Sequence, residues 1–205
     1  RDDLVTGVQT CALPISDNVV ATSQPLAAQA GLRMLMQGGN AADAALATAI
    51  ALTVVEPAMN GIGSDAFCIL WDGQALHGLN ASGRAPAAWS PQYFAGREAM
   101  PRSGWDTVTV PGCVSAWAEV SRRFGKLPFA QLFEPAVQYA ESGFLVGPVT
   151  AAAWASAVQT LVEYEGFAQA FMPAGRAPQA GERFACRAQA RTLQRIAESE
   201  GEDFY

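Results

Sequence analysis

Between Ala44 and Val55 the chain runs twelve residues without a charge, a glycine or a proline. Asn40 stands ahead of this run as a helix cap, Asp43 suits the positive end of a helix dipole, and Pro57 stops the element. The segment therefore reads as one helix over about Ala41 to Val55. Its apolar residues show no polar side, so the helix needs cover on every face. It is too short to cross a bilayer, which takes about 20 residues. The fold must therefore be built around it. With 205 residues, 50% apolar and only 16% charged, the chain has material for one sizeable core and is not intrinsically disordered. Its net charge of −6 and its lack of a basic cluster argue against nucleic-acid or anionic-membrane partners.

The neighbouring elements follow from punctuation. VVAT (Val19 to Thr22) is β-branched and reads as a short strand. Ser23 is placed to cap a helix that Pro25 helps to start, with Leu26, Ala27, Ala30, Met34 and Leu35 on its apolar face. Gly38-Gly39 ends it through a left-handed residue. After the central helix, AFCILW has the length and apolarity of a strand. Asp72-Gly73 is a two-residue hairpin signal, and the return strand runs from about Gln74 to Asn80. TVTV (Thr107 to Val110) reads as a further strand. The remainder is helical, with helices predicted at about Cys113 to Phe124, Phe129 to Ser142, Val149 to Val162 and Ala188 to Ser199. Many helices and few strands make the class α/β, with α+β the alternative. The first 16 residues, RDDLVTGVQTCALPIS, have no structural period and no signal-peptide pattern, and read as a leader foreign to the fold.

The chemistry is sparse. The one histidine, His77, lies on the return strand, where a polar strand residue is the simplest reading, and a Ser-His-Asp triad finds no support. Cys11, Cys68, Cys113 and Cys186 are widely spaced and read as small buried hydrophobes rather than as disulfide or zinc ligands. No cofactor motif is present, and the residues supply no catalytic set and no metal site. Two loops stand out. NGIGSDAF (Asn60 to Phe67) is glycine-rich and could present N–H groups to an anion, with Ser64 and Asp65 as candidate binding residues; a tight helix-to-strand turn is the competing reading. NASGRAP (Asn80 to Pro86) gathers Asn80, Ser82 and Arg84 after a strand, where Arg84 could pair with a carboxylate or stand as a plain surface arginine.

Several segments together resemble the γ-glutamyltranspeptidase family. They are SQPLAAQAGLRMLMQGGNAADAALATAIALTVVEP (Ser23 to Pro57), NGIGSDAF, TVTVPGCVSAWAEVSRRFGKLP (Thr107 to Pro128), EPAVQYAESGFLV (Glu134 to Val146) and the closing ARTLQRIAESEGEDFY. The resemblance implies the N-terminal portion, residues 17–205, of the large subunit of an N-terminal-nucleophile hydrolase. Such a precursor cleaves itself, and its two subunits build an αββα sandwich of which this chain holds the helix-rich part. A threonine freed at the new N-terminus then attacks a γ-glutamyl amide such as glutathione, with its own amino group as base. That nucleophile lies downstream in the family, so no catalytic residue is assigned here. The implied partners are a small amide substrate and the rest of the precursor, with no cofactor and no membrane span. Whether the compartment is cytoplasmic or periplasmic is left open.

Two departures from the family pattern bear on substrate. Ser64, Asp65 and Ala66 stand where the family's glycine run has three glycines. The family's substrate loop carries an arginine followed by Glu, any residue, Ala and Pro; counting back from Ala85-Pro86 puts Ser82 at the arginine and Gly83 at the glutamate. Arg84 is displaced by two residues, which in an extended segment keeps the same face. Three readings therefore compete: a γ-glutamyl enzyme, a relative with a non-glutamyl amide substrate of the oxamate-amidohydrolase or cephalosporin-acylase kind, and a non-catalytic scaffold domain.

Overall fold

The computed structural model describes residues 17–205; the predicted leader over residues 1–16 lies outside them. The helices are α1 (Pro25–Met36), α2 (Ala41–Val55), α3 (Cys113–Phe124), α4 (Glu134–Ser142), α5 (Pro148–Leu161), α6 (Phe167–Phe171) and α7 (Arg187–Glu198). Strands β1 (Ala66–Trp71) and β2 (Leu76–Ala81) form one antiparallel pair, and β3 (Phe144–Leu145) with β4 (Arg183–Phe184) forms another. This is a helix-rich fold with few strands, as the composition implies.

The central helix occupies the predicted residues. Asn40 and Asp43 form a reciprocal cap: the Asp43 N–H donates to Asn40 Oδ1 (3.1 Å), and the Asn40 N–H donates to Asp43 Oδ2 (2.8 Å). The Asp43 carboxylate, wholly buried, also accepts the N–H of Lys126 (3.1 Å) and of Leu127 (3.3 Å), fastening the turn after α3 to the start of α2. Around α2 pack α1, α3, α4 and the 3₁₀ turn Phe129–Phe133, with α7 closing over α4. Ile50, Ala47, Val55, Leu132, Ala136, Leu193 and Ile196 expose 1% or less of their surface and form the core. A second focus gathers Trp154 of α5 edge-on to Phe171 and Phe184, with its Nε1 donating to the Phe171 carbonyl at 3.0 Å.

Four local expectations are corrected. Gln24, not Ser23, caps α1: its side-chain oxygen accepts the N–H groups of Leu26 and Ala27, while Ser23 donates to Glu56 Oε2 at 2.7 Å. VVAT pairs with no strand among the described residues, and Val19 is left 76% exposed. TVTV begins as the 3₁₀ turn Trp105–Thr107, which the Val108 N–H closes on Trp105 O (3.1 Å), and continues as extended backbone that meets a distant main chain through the Val110 N–H on Arg84 O (2.9 Å); a β-branched run without a partner edge makes no sheet. The β1–β2 turn holds four residues, because Trp71 pairs with Leu76. Its fold is set by Asp72, whose Oδ1 accepts the N–H groups of Gln74 (2.8 Å) and Ala75 (2.7 Å), with Gly73 at φ +96°.

Candidate substrate-binding site

Hairpin register decides which residues meet. Ala66 pairs with Ala81, so the loop entering β1 and the loop leaving β2 emerge side by side at the same end of the sheet. Asp65 and Ser82 are the first residues beyond that pair. A third segment, Pro111 to Cys113 at the start of α3, locks the two together. The N–H groups of Gly112 (3.2 Å) and Cys113 (3.0 Å) both donate to the Ser64 carbonyl, and the Cys113 thiol donates to the Ile62 carbonyl at 3.0 Å. On the other side, Thr109 Oγ1 donates to the Ser82 carbonyl (3.1 Å), beside the Val110 to Arg84 bond. A side chain at Gly112 would collide with the Ala81 carbonyl, and one at Gly83, which has φ +81°, would collide with the Val110 carbonyl. Glycine at these two points is what lets three strands of backbone come together.

The five candidate residues divide by what their side chains do. Ser64 is spent on structure: its hydroxyl accepts the Gly61 N–H at 3.1 Å. Asn80 likewise holds its own loop, with Oδ1 accepting the Ser82 N–H at 3.0 Å. Asp65, Ser82 and Arg84 are exposed. No other described residue bonds the Asp65 carboxylate, the Ser82 hydroxyl or the Arg84 guanidinium. A carboxylate, a hydroxyl and a guanidinium thus stand free at one end of the hairpin, on backbone fixed from three sides. Chemically they can orient a polar head group by charge and hydrogen bonds; none is arranged as nucleophile and base. Cys113, under the same loops, is no nucleophile either, since burial pushes its thiol up to about 11.

Sequence reading missed two features here. One is the Pro111–Cys113 clasp, which follows from a strand register that local patterning does not fix. The other is the excursion between Pro86 and Val108, which leaves and re-enters beside Arg84. It is packed by its own side chains. Tyr93 Oη donates to Asp106 Oδ1 (2.8 Å), Arg97 bonds Asp106 Oδ2 (2.7 Å), and the Arg97 guanidinium lies over the Tyr93 and Phe94 rings. The bonds from Tyr93 and Arg97 hold the Asp106 carboxyl below its ordinary value, and the same carboxylate raises the Tyr93 phenol. His77 behaves as the polar strand residue expected of it, bonding Asp72 Oδ2 at 2.7 Å and tilting over Phe124.

A chain with this helical core, glycine-bearing loop and clasp belongs to the γ-glutamyltranspeptidase family, whose sequence model matches residues 27–205. It is 37% identical over 190 residues to the glutathione hydrolase-like YwrD proenzyme of Bacillus subtilis, and 38% identical over 188 residues to the oxamate amidohydrolase proenzyme of Klebsiella pneumoniae. Those alignments take in 91% and 88% of this chain and 36% and 35% of the relatives, so the chain spans about a third of their length. Among solved structures, the cephalosporin acylase of Bacillus halodurans superposes with a TM-score of 0.86 at 47% identity, over 94% of this chain and 39% of the acylase chain. The fold is that of the helix-rich part of these N-terminal-nucleophile hydrolases.

Proposed function

We propose that this chain is the N-terminal, substrate-orienting portion of a self-cleaving amidase or acyltransferase of the family, and that its nucleophile is a threonine elsewhere in the precursor. The convergence of Asp65, Ser82 and Arg84 at one end of the β1–β2 hairpin carries this reading. Ser64 and Asn80 hold the two loops, and the three free groups face the amide substrate. The hairpin supports the same conclusion about partners. Its outer face exposes Phe67 (66%), Ile69 (80%), Trp71 (63%) and Leu76 (69%), a contiguous apolar surface that suits burial against the remainder of the precursor.

For donor chemistry the reading favours a non-glutamyl acyl amide. Ser82, short and neutral, stands at the position of the family's carboxylate-binding arginine, and Asp65 adds negative charge beside it. An α-carboxylate would depend on Arg84 alone, whereas an uncharged acyl group would not need it. The names of the relatives, among them an oxamate amidohydrolase and a cephalosporin acylase, fit a family branch of varied substrates. The test is Arg84→Ala in the full-length protein, assayed with glutathione and with a simple acyl amide that lacks the α-carboxylate. The acyl amide should be turned over in preference, with Arg84→Ala changing its kcat/KM little. A strong preference for glutathione that survives Arg84→Ala would overturn both the donor assignment and the role of Arg84. A full-length protein that cleaves neither itself nor any amide would favour the scaffold reading instead.

A further inference from the structure

An open cleft of about 540 Å³ lies on a different part of the surface, between the start of α1, the end of α2, Tyr139 of α4 and the start of α5. Pockets for small ligands fall in this size range. Its apolar walls are Leu26, Phe144, Leu145 and Val149, and it has two polar ends.

The first is the N-terminus of α5. The cap residue is Gly147, which offers no side chain, and Pro148 has no N–H. The N–H groups of Val149 and Thr150 find no acceptor among the described residues. The Thr150 hydroxyl is also without a partner among them, although Thr150 is only 6% exposed. No fully enclosed side-chain polar atom in the described protein lacks a partner, so that hydroxyl must open into the cleft that Thr150 lines. The hydroxyl of a side chain this buried, with no partner among the described residues and on the lining of the cleft, is placed to bond a molecule held there. The second end is Glu56. Its Oε2 accepts from Ser23 Oγ (2.7 Å) and Asn60 Nδ2 (3.0 Å), and its Oε1 has no partner among the described residues.

A simple anion at the helix N-terminus would meet the Glu56 charge, and a simple cation at Glu56 would meet the positive end of α5. A molecule carrying both charges satisfies both ends, and an aliphatic body suits the walls. We propose that this cleft binds a small aliphatic zwitterion of amino-acid or dipeptide size, its carboxylate on the Val149 N–H, Thr150 N–H and Thr150 hydroxyl and its ammonium on Glu56.

Calorimetric titration of the 205-residue chain with L-leucine and with L-leucylglycine tests this, the two probes differing in the spacing of their charges. Saturable binding of at least one is expected. For the probe that binds, Thr150→Val should weaken binding about tenfold without lowering Tm, since the hydroxyl bonds none of the described residues. Masking either charge of the ligand, as in its amide or in its analogue without the amino group, should weaken binding at least as much. The deaminated analogue reads the Glu56 contact without mutating a residue that also ties Ser23 and Asn60. No saturation by either probe up to about 10 mM, a concentration matched to very weak affinity, would overturn the proposal. So would binding indifferent to Thr150→Val or to the loss of either ligand charge.

Discussion

Ile50 and Ile69 are the same residue in two regions built on different terms. Ile50 lies at the centre of α2 with none of its surface exposed, surrounded by α1, α3, α4 and the Phe129–Phe133 turn. Ile69 lies at the centre of β1 and exposes 80%. The helical region satisfies itself: its central helix is covered, the buried carboxylate of Asp43 accepts three main-chain N–H groups, and the turn after α3 is held in place by that acid. The hairpin has one covered face, toward α3, and one apolar face turned outward. A two-stranded sheet of this kind is at best marginal alone. The difference teaches that this chain's stability resides in its helices, while the hairpin that carries the candidate site is shaped for further cover.

The comparison can be broken by mutation, and Asp43→Ala should have the largest effect. It removes the buried carboxylate that accepts the part-buried N–H groups of Asn40, Lys126 and Leu127, a loss of about 3 to 4 kcal/mol at roughly 1 kcal/mol or a little more for each of the three bonds, read as a fall in the urea midpoint. Ile50→Ala comes next, at about 3 kcal/mol for a buried aliphatic truncated to alanine. Ile69→Ala in the chain alone should stay within about 0.5 kcal/mol, as surface substitutions do. Equal losses at the two isoleucines would dissolve the distinction between the regions.

Acid sharpens it further. Main-chain bonds from Ala75 and Gln74 and the side chain of His77 pull the Asp72 carboxyl down to about 2 from an ordinary value of 3.8. A depressed acid stabilises the fold fully above its unfolded value and loses that contribution as pH falls through the folded one. The hairpin turn should therefore loosen between about pH 4 and pH 2, visible as chemical-shift changes at Gln74, Ala75 and His77. Asp72→Asn should remove that pH dependence while leaving α2 untouched. The smallest effect is chemical: Cys113, with its thiol raised to about 11 by burial, should resist alkylation at pH 8 in the native chain and react once urea is added. Native labelling of Cys113 as fast as in urea would show that the clasp over the 60–65 loop is loose.

Much of the helical region was legible because its boundaries are written in local chemistry. Asn40 and Asp43 begin α2, Gly38 at φ +87° ends the turn before it, and Gly125 and Gly143 close α3 and α4. The 3₁₀ start over Phe129–Phe133, the β3–β4 pair and α6 were not, since each depends on distant partners such as the Phe144–Phe184 contact. VVAT and TVTV misled for the opposite reason: strand propensity says nothing of whether an edge is available. Both candidate loops could be found from glycine, serine and arginine in sequence. The predicted hairpin sets them at the same end of the sheet, but the register that pairs Ala66 with Ala81 and the seating of Gly112 against the Ala81 carbonyl are not written in local sequence.

Amide hydrogen exchange, compared between this chain alone and the full-length precursor, tests the central claim most directly. In the chain alone, the amides of α2 should exchange slowly while those of β1 and β2 exchange far faster, and in the full-length protein the hairpin amides should slow to join the core. Hairpin amides already as protected as α2 in the isolated chain, with no change in the full-length protein, would contradict the account.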